Sequence, residues 1–383
     1  MHIGKLFKKL PAKYYSHKFK DLSLDSRKCK KNDIFFSIKG VKKNGNKFIS
    51  NAIKNGARTI VSNLNFQGKK GNTLYIKNNN VRKLVPEIAS QFYKGIPKNL
   101  IAITGTNGKS SIASFYFQIL KNKKLNVATI GTLGIKTNNS NKLTDNTTLD
   151  PITIHKTLSL IKKKKITNTI LEASSHGLKQ NRLDGLRFDT SIFTNLSRGH
   201  LDYHKTFKDY FNSKLILFNK LTKKRGIIIY DNDIPHSKKI KKICLNKNLK
   251  SLTIGKKNSN LIVKRHKYIG NLQIVEIEYN RKKYSFSTSL IGKLQVKNLL
   301  FAILAASKSK INFNKIIESI STIKPVEGRL ESVGNIKNNS KVILDYAHTP
   351  DALKYTLESI KEQFNQSSIS IVFGCGGNRD KDK

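Results

Sequence analysis

The sequence contains little cysteine and no long apolar run. Cys29, Cys244 and Cys375 are odd in number and far apart, a pattern that argues against a disulfide framework or a zinc site and favours a reducing compartment. The longest apolar run, residues 299–306, is too short to cross a bilayer, and the basic start of the chain lacks the apolar core of a signal peptide. We therefore expect a soluble, cytoplasmic protein without a membrane partner.

Acidic residues are also scarce. The 24 Asp and Glu residues stand against 73 Lys and Arg residues, which gives a formal net charge of +49. Such a charge suggests nucleic acid, but the lysines are spread over the whole chain among Asn and Ile, whereas a nucleic-acid surface concentrates them among stacking aromatics. We interpret the excess as a compositional bias and expect no specific nucleic-acid partner, although nonspecific binding at low salt is expected.

One stretch predicts a nucleotide site rather than a plain strand-to-helix turn. The apolar run 100–103 is typical of a buried strand, residues 104–110 read TGTNGKS, and helical spacing follows. In such a loop the glycines let backbone N–H groups face an anion, the helix adds its positive end, the lysine reaches the terminal phosphates and the serine can hold Mg2+. A full Walker consensus would require Gly at Ile103, so the match is to a shorter form. The predicted nucleotide-binding residues are Gly105, Thr106, Asn107, Gly108, Lys109, Ser110 and Ser111.

The length of 383 residues predicts two or three domains. Residues 1–95 have the pattern of a small α/β domain that ends at a Gly-Ile-Pro linker. Its strand-like runs lie at residues 33–38, 58–61 and 73–76, and helical spacing covers residues 81–93. Within this part, Ser26 with its neighbours and the loop 40–48 could either bind a polar ligand or form solvated turns.

Strands and helices alternate over residues 99–324, which predicts a mostly parallel sheet covered by helices, with ligands beyond the carboxyl ends of its strands. Polar residues collect at those ends. Glu172 follows the strand-like run 169–171, where a carboxylate could hold Mg2+ directly or through water, although a surface-loop acid is the alternative. After the run 190–193 comes a group of three ligand-type side chains, His200, Asp202 and His204. These are either metal ligands or structural residues.

Lys214 occupies an unexpected position. It lies within the apolar stripe of a predicted helix over residues 206–221. The other members of the stripe are Phe207, Tyr210, Phe211, Phe218 and Leu221. Either the aliphatic stem of Lys214 lies along the core while its ammonium reaches water, or the amine is held in the interior, where desolvation lowers its pKa. A neutral amine can add CO2 to form a carbamate, an acid that can bind a metal.

Together these stretches resemble the Mur ligase family, and within it the branch that adds the third amino acid to UDP-N-acetylmuramoyl-L-alanyl-D-glutamate. The resemblance spans nearly the whole chain. The similar stretches are LDSR (24–27), ITGTNGKSS (103–111), NTTLD (146–150), LEASSHGLKQNRLDG (171–185), TNLSRGHLDYH (194–204), YFNSKLILF (210–218), PVEGRLESV (325–333), DYAHTPDAL (345–353) and FGCGGNRD (373–380). Folylpolyglutamate synthetases share the phosphate loop, but SSHGL, HLDYH and DYAHTPDAL are similar to the tripeptide-forming Mur ligases.

The resemblance implies roles for individual residues. Lys109 and Ser110 would bind the ATP phosphates and Mg2+, and Glu172 would bind the same ion. His200 and a carbamylated Lys214 would bind a second ion, so that the implied catalytic residues are Lys109, Glu172, His200 and Lys214. The residues implied to hold the UDP-muramoyl-dipeptide are Ser26, Asn146, Thr147, Thr148, Ser174, Gln180 and Arg182. Those implied around the adenosine and phosphates are Asn298, Arg329, Asp345 and His348.

The implied fold is α/β in three domains. A small N-terminal domain (1–95) would bind the UDP substrate, a central parallel-sheet domain with the phosphate loop (96–324) would bind ATP, and an incomplete Rossmann-like domain (325–383) would bind the amino acid. The implied reaction transfers the ATP γ-phosphate to the D-Glu side-chain carboxylate, and the amine of meso-diaminopimelate or L-lysine then attacks the acyl phosphate, in peptidoglycan biosynthesis. The implied partners are the UDP-muramoyl-dipeptide and a free amino acid, the cofactors are ATP, Mg2+ and a CO2-derived carbamate on Lys214, and the chain is expected to be a monomer.

The sequence departs from the family pattern at four positions. Gly199 replaces an Asp near the implied second metal ion, Leu149 replaces a Pro, Gln295 an Asn and Asn378 an Asp. The first of these removes one acid from the implied metal site.

The last part of the chain is expected to be a shortened domain. We predict a strand at 342–344, a helix at 350–364 and a strand at 369–373, about half of a doubly wound domain. The motif that selects the amino acid would lie further on. Three hypotheses therefore stand: an active ligase, a noncatalytic remnant that binds nucleotide or UDP-sugar, and a folylpolyglutamate synthetase.

Overall fold

A computed structural model describes residues 1–40, 44–337, 340–348 and 350–374. The chain divides into two compact units. The first comprises Met1–Ile96, Leu149–Lys164 and Lys179–Leu186, and the second comprises Pro97–Thr148, Lys165–Leu178 and Arg187–Lys383. The first unit is therefore discontinuous, because two segments from the middle of the sequence belong to it.

The elements are numbered in chain order. The helices are α1 (Ile49–Lys54), α2 (Val81–Phe92), α3 (Lys109–Asn122), α4 (Pro151–Lys163), α5 (Ser175–Lys179), α6 (Leu201–His204), α7 (Phe207–Ile216), α8 (Ser237–Asn246), α9 (Lys293–Ala306), α10 (Phe313–Glu318) and α11 (Pro350–Gln363). The strands are β1 (Leu22–Ser23), β2 (Ile34–Phe36), β3 (Thr59–Ser62), β4 (Gly68–Lys70), β5 (Thr73–Lys77), β6 (Asn99–Thr104), β7 (Val127–Gly131), β8 (Gly134–Thr137), β9 (Ser140–Lys142), β10 (Asn168–Glu172), β11 (Phe188–Phe193), β12 (Thr222–Asp231), β13 (Lys250–Gly255), β14 (Leu261–Ile269), β15 (Leu272–Tyr279), β16 (Lys282–Thr288), β17 (Glu331–Ile336) and β18 (Ser340–Leu344).

The first unit is built on a sheet in the order β1-β2-β3-β5-β4, in which β4 alone is antiparallel to its neighbour among the described strands. Successive side chains of a strand point to opposite faces. Ile34 and Phe36 accordingly join an apolar cluster with Val85 of α2, whereas Phe35 joins a second cluster with Ala52 of α1. Both faces are covered, which explains why the strands of this unit were recognisable as short continuous apolar runs.

The second unit contains a larger sheet in the order β16-β15-β14-β13-β12-β11-β6-β10-β7-β8-β9. Its centre, from β14 to β7, is parallel, and antiparallel strands extend it at both edges. The predicted parallel sheet is confirmed. Strand β6 lies between β10 and β11. From β6 the chain continues to β7, on the β10 side, whereas from β11 it continues to β12, on the other side. Such a point, at the carboxyl ends of the strands, is where open α/β sheets bind ligands.

The core of this unit is formed by the sheet together with α3 and α9, which pack on each other. Residues 299–306 lie in α9, and each is at most 2% exposed, so the longest apolar run of the sequence is a buried helix of the core. None of the helices in the described ranges is long and apolar enough to cross a membrane.

The end of the chain differs from the prediction. Strands β17 and β18 pair antiparallel, and α11 follows as predicted, but the predicted strand at 369–373 is wrong. Val372 is 101% and Phe373 67% exposed, and residues 369–374 pair with none of the described strands. No strand forms there because a strand needs a partner for its backbone hydrogen bonds. Residues 375–380 of the FGCGGNRD stretch, including Asn378, and residues 41–43 of the predicted loop 40–48 lie outside the described residues.

The predicted helix over 206–221 consists of α7 followed by a π-helical turn at Leu217–Leu221. Its apolar stripe is largely correct, since Tyr210, Phe211 and Phe218 are buried. Phe207 does not belong to it: this first residue of α7 is 41% exposed.

Candidate functional site

The phosphate loop lies at the carboxyl end of β6, as predicted. Gly105 (φ 149°) and Gly108 (φ 87°) have left-handed backbone conformations that side chains disfavour. A Cβ atom at Gly105 would lie 1.8 Å from Thr194 Oγ1, and one at Gly108 would lie 2.3 Å from Asn298 Oδ1. Gly108 caps α3 without a side-chain acceptor. The first N–H groups of this helix are therefore not capped by a side chain, which suits the binding of an anion.

The end of β11 holds the loop in place. The Thr194 hydroxyl donates to the Asn107 carbonyl (2.6 Å), and Asn195 accepts from two loop amides: Asn107 N–H on its side chain (3.0 Å) and Thr106 N–H on its backbone carbonyl (3.0 Å). These bonds fix the loop conformation by contacts that are distant in sequence.

Glu172 lies beside the loop at the end of β10. It is 2% exposed, and its Oε2 accepts a hydrogen bond from the Ser110 hydroxyl (3.1 Å), while its Oε1 accepts one from the Thr132 amide (3.0 Å). The alternative of a surface-loop acid is wrong. A serine hydroxyl and a carboxylate oxygen, adjacent to an uncapped helix start, form a donor set that suits Mg2+, which prefers hard oxygen ligands.

Two lysines meet at one backbone carbonyl. Lys109 Nζ donates to the Gly105 carbonyl (3.0 Å) and to the Thr106 carbonyl (2.9 Å), and Lys214 Nζ donates to the same Gly105 carbonyl (2.7 Å). Lys214 is 2% exposed and lies 4.3 Å from the centroid of the Tyr210 ring. The amine is thus held in the interior, and the alternative in which its ammonium reaches water is wrong.

Burial and like charge lower the pKa of both amines. Desolvation is the larger cause for each; the positive charge of Lys109 adds to it at Lys214, where the pKa is well below its usual value, and that of Arg329 adds to it at Lys109. Burial also raises the pKa of the Tyr210 hydroxyl to about 12, and this hydroxyl lies 3.1 Å from Thr106 Oγ1. The site therefore concentrates positive charge and weakly acidic donors around the loop.

The three residues of the predicted metal-ligand group, His200, Asp202 and His204, have different environments. His204 is fully buried, with Nε2 2.9 Å from Ser175 Oγ and Nδ1 3.3 Å from Ser213 Oγ, and we interpret it as a structural residue. His200 has a left-handed backbone (φ 56°) and packs its ring against His176, at 5.1 Å between centroids. His200 is exposed as a residue, but partial desolvation of its ring, together with the charges of His176, Lys214 and Lys109, lowers its pKa to about 4. Its imidazole is therefore neutral at pH 7, the form that binds metals. Asp202 is exposed. Among the described residues no three His, Cys, Asp or Glu side chains form a metal-binding group by themselves.

The predicted substrate residues fall in both units. In the second unit, Thr148 Oγ1 donates to the Glu172 carbonyl (2.9 Å) and lies 3.0 Å from Ser174 Oγ, and Thr147 Oγ1 lies 3.0 Å from Thr132 Oγ1. These hydroxyls therefore adjoin Glu172, whereas Asn146 is exposed.

In the first unit, Arg182 donates two hydrogen bonds to Gln180 Oε1 (3.1 and 2.8 Å). Ser26 lies in a 3-10 helix (Ser26–Lys28) capped by Asp25 and is 6% exposed. Its carbonyl accepts from Asn55 (2.9 Å).

Of the residues predicted around adenosine, Asn298 is buried against the loop glycine, as described above. Gln295, one turn earlier in α9, accepts from Asn298 Nδ2 (3.2 Å) and donates to the Arg329 carbonyl (3.0 Å). Asp345 accepts from the amides of Leu330 (2.7 Å) and Ala347 (2.8 Å), which pins a turn.

The other two residues of this group lie at exposed or half-buried positions. The Arg329 guanidinium lies 4.5 Å from the centroid of the Tyr346 ring. His348 is exposed, with Nδ1 2.9 Å from the Tyr346 carbonyl.

Sequence reasoning missed three contributors. Thr132 contacts both oxygens of Glu172, Tyr210 contacts the loop although its spacing marked it as core, and Gln295 was noted only as a departure from the family. Thr132 could have been found, because it directly follows β7 at the same edge of the sheet. The contact of Tyr210 depends on how α7 packs, for which the sequence carries no local signal.

Comparison with known proteins bears directly on this site. The Mur ligase middle domain family matches residues 103–306, the Mur ligase family catalytic domain matches residues 18–101, and the Mur ligase glutamate ligase domain matches residues 328–383. The chain belongs to the Mur ligase family. The matched middle segment contains the phosphate loop, Glu172, His200 and Lys214.

Similar Mur ligases include the UDP-N-acetylmuramoyl-L-alanyl-D-glutamate--2,6-diaminopimelate ligase of Rickettsia montanensis, 37% identical over 97% of this chain and 77% of the relative. The same-named enzyme of Rickettsia prowazekii is 35% identical over 100% of this chain and 78% of the relative. A solved structure of an enzyme of that name superposes with a TM-score of 0.80 at 27% identity, covering 99% of this chain and 78% of that one. The MurF ligase of Thermotoga maritima, solved with ADP, shares the fold (TM-score 0.67, 18% identity, 89% of this chain and 74% of that one).

The lysine arrangement predicts an unusual pH dependence of stability. Because the pKa of Lys214 is lower in the folded than in the unfolded protein, the unfolded state binds more protons between those two values, and stability rises with pH through that window. In CO2-depleted buffer without ligands, we expect the melting temperature to rise from about pH 7 to about pH 10. Lys214→Met should raise it at pH 7 by on the order of several degrees and make the curve less steep, with the part due to Lys109 remaining. Lys242→Met, at an exposed position of α8, is the matched control and should change neither. A destabilised Lys214→Met protein with an unaltered pH dependence would contradict the account.

Proposed function

We propose that this Mur ligase joins 2,6-diaminopimelate to UDP-N-acetylmuramoyl-L-alanyl-D-glutamate with hydrolysis of ATP to ADP and phosphate. The supporting observation is the group formed by the phosphate loop, Ser110 with Glu172, and the paired amines of Lys109 and Lys214. Its relatives at 35–37% identity carry the name of that activity. Membership of the Mur ligase family and relatives named as ligases do not favour the hypotheses of a noncatalytic remnant and of a folylpolyglutamate synthetase.

The reaction requires two anions to approach each other. A carboxylate is a poor acyl donor, so the D-Glu carboxylate takes the γ-phosphoryl group, and the amine of the incoming amino acid displaces phosphate from the acyl phosphate. Lys109 and the uncapped start of α3 would hold the phosphates, offset the repulsion between the anions and stabilise the charge of the transition state. Lys109 must leave the Gly105 and Thr106 carbonyls to do this, a movement of one flexible side chain.

Ser110 and Glu172 would hold Mg2+ when the nucleotide binds. When bound there, Mg2+ would supply positive charge that offsets the negative charge of the phosphates held by Lys109 and the loop. Glu172 is suited to this role because its other oxygen is already fixed by the Thr132 amide, so the carboxylate has little freedom to rotate.

We further propose that Lys214 is carbamylated. Burial and the neighbouring Lys109 charge hold the pKa of its amine well below the usual value, which favours the neutral form that reacts with CO2. Attack of the neutral amine on CO2 forms the N–C bond, and the nitrogen then loses a proton to solvent. The product places an anion next to Lys109, where the protonated form of Lys214 would repel the Lys109 charge. The carbamate and the neutral His200 imidazole are suitable ligands for a second ion.

The substrate assignments are proposals of the same kind. Thr147, Thr148 and Ser174 present hydroxyls beside Glu172 and suit a polar peptide acid, and Ser26, Gln180 and Arg182 of the first unit suit the UDP-muramoyl part. Asn146, Asn298, Arg329, Asp345 and His348 are proposed as further contacts to substrate or nucleotide, as are the loop residues 105–111. We propose the domain division 1–95, 96–324 and 325–383, a cytoplasmic location and a monomeric state.

The test is ADP release and formation of a tripeptide product by the purified chain. Release should require ATP, Mg2+, the UDP-muramoyl-dipeptide and 2,6-diaminopimelate, and lysine should replace diaminopimelate poorly. Lys109→Ala should abolish ATP turnover. ADP release that needs a folate, or nucleotide binding without any amide product, would contradict the proposal.

Small carboxylic acids should compensate for the loss of the carbamate in a Lys214 variant. Lys214→Ala is expected to lose activity by a factor of roughly 100 or more, since a positioned charge of this kind contributes several kcal/mol to the transition state. Acetate or propionate should restore part of the activity by occupying the space of the carbamate. Formate should act more weakly if cavity filling matters, and acetamide, which matches acetate in shape but not in charge, should not rescue. Full activity of Lys214→Ala without added acid would remove the carbamate from the mechanism.

Gly199 offers a gain-of-function test. A Cβ atom there would meet only Thr106 Cγ2, at 4.0 Å, so a side chain fits. Gly199→Asp restores the acid of the family pattern and should lower the Mg2+ concentration for half-maximal activity by roughly several-fold, because an additional carboxylate near a divalent ion strengthens its binding. Gly199→Asn is the uncharged control and should resemble the unaltered protein. Equal effects of Asp and Asn would exclude a role for the charge.

A further inference from the structure

Thr132 forms hydrogen bonds with both carboxylate oxygens of Glu172, the proposed Mg2+ ligand. It directly follows β7, and its backbone N–H donates to Glu172 Oε1 (3.0 Å) while its hydroxyl lies 3.2 Å from Glu172 Oε2. The preceding residue, Gly131, leaves no space beside the carboxylate, since a Cβ atom there would lie 2.2 Å from Oε1. Glu172 is thus packed against the end of β7 and held by one residue at two points.

The same hydroxyl also reaches the proposed substrate side. Thr132 Oγ1 lies 3.0 Å from Thr147 Oγ1. A carboxylate accepts but does not donate hydrogen bonds, and a hydroxyl has a single proton. Thr132 must therefore give its proton to Glu172, and the contact with Thr147 requires Thr147 to donate to Thr132. The hydrogen bonds run in one direction, from Thr147 through Thr132 to Glu172.

This direction has consequences at both ends. Thr147, having used its proton, presents only lone pairs to a ligand, so it can accept from an N–H or O–H group of the substrate. Glu172 Oε2 is fixed in direction, which preserves its approach to the Ser110 hydroxyl at 3.1 Å. Hydrogen bonds in such a chain polarise one another, so a change at one end alters the strength of the bond at the other.

We propose that Thr132 is a positioning residue that orients Glu172 for Mg2+ and couples Mg2+ binding to recognition of the UDP-linked peptide by Thr147. This inference rests on the proposed ligase function. Thr132 itself touches neither reacting atom, and its effect would be exerted through Glu172 on one side and Thr147 on the other.

Three variants separate the hydroxyl from the shape of the side chain. Thr132→Val keeps the volume and the backbone N–H but removes the hydroxyl, and Thr132→Ser keeps the hydroxyl. Thr129→Val is the matched control in the same strand, because the Thr129 hydroxyl enters none of the side-chain hydrogen bonds found in the described ranges. Melting temperatures without ligand establish that each variant is folded.

The first measurement is calorimetric binding of ADP at a series of Mg2+ concentrations, which requires no turnover. Loss of a hydrogen bond to a charged group typically corresponds to a factor of roughly 10 or more. Thr132→Val should therefore need roughly 10-fold more Mg2+ to reach the same ADP affinity, whereas Thr132→Ser and Thr129→Val should match the unaltered protein. Equal Mg2+ dependence in Thr132→Val and the unaltered protein would overturn the inference.

The second measurement is a double-variant cycle on KM for the UDP-muramoyl-dipeptide. If the hydroxyls act as one chain, the increase in KM in Thr132→Val with Thr147→Val should be no larger than that in Thr147→Val alone. Increases that multiply would show two independent contacts and contradict the coupling. If the unaltered protein forms no product while the Mg2+ dependence follows the expectation, the proposed function fails but the orienting role of Thr132 stands.

Discussion

Two lysine amines on one backbone carbonyl are the feature on which the rest of the site depends. Lys109 and Lys214 come from different helices, α3 and α7, and both donate to Gly105. Bringing two amines together in this way opposes the stability of the ligand-free protein, because desolvation and mutual repulsion both disfavour their charged forms. The same arrangement favours any ligand that brings negative charge to the loop. The electrostatic cost of this site in the free protein would therefore be reduced by binding of an anion or by carbamylation.

The fold explains how this arrangement is maintained. Strand β6 lies in the centre of the parallel sheet with buried neighbours on both sides, which restricts movement at the start of the loop. Thr132, after β7, fixes the Glu172 carboxylate, and Thr194 and Asn195, after β11, fix the loop by direct hydrogen bonds. Helix α9 packs Asn298 against Gly108. Rigid strands thus carry the groups that must not move, while Lys109, on a flexible stem, is the group that can reorient towards a ligand.

Sequence patterns predicted those features of the site that depend only on residues near one another in the chain. The phosphate loop, the position of Glu172 at a strand end and the misplaced Lys214 were recognisable because strand and helix periodicity places residues at an edge or on a face. Whether the Lys214 amine is buried could not be predicted, since both a solvated and a buried amine are compatible with the same apolar stripe. The alignment of Thr132 with Glu172 depends on the pairing of β7 with β10, and strand order is not encoded locally. The wrong strand at 369–373 has the same cause: its apolar pattern was read correctly, but a strand also requires a partner.

The role of the phosphate loop is tested most directly by a crystal structure of the protein with Mg2+ and a nonhydrolysable ATP analogue. We expect the terminal phosphates to lie against the first turn of α3, Lys109 Nζ to have moved from the Gly105 carbonyl to a phosphate oxygen, and the ion to lie near Ser110 Oγ and Glu172. A triphosphate bound elsewhere, or one bound at the loop with Lys109 still on the Gly105 carbonyl and Glu172 remote from the ion, would contradict it.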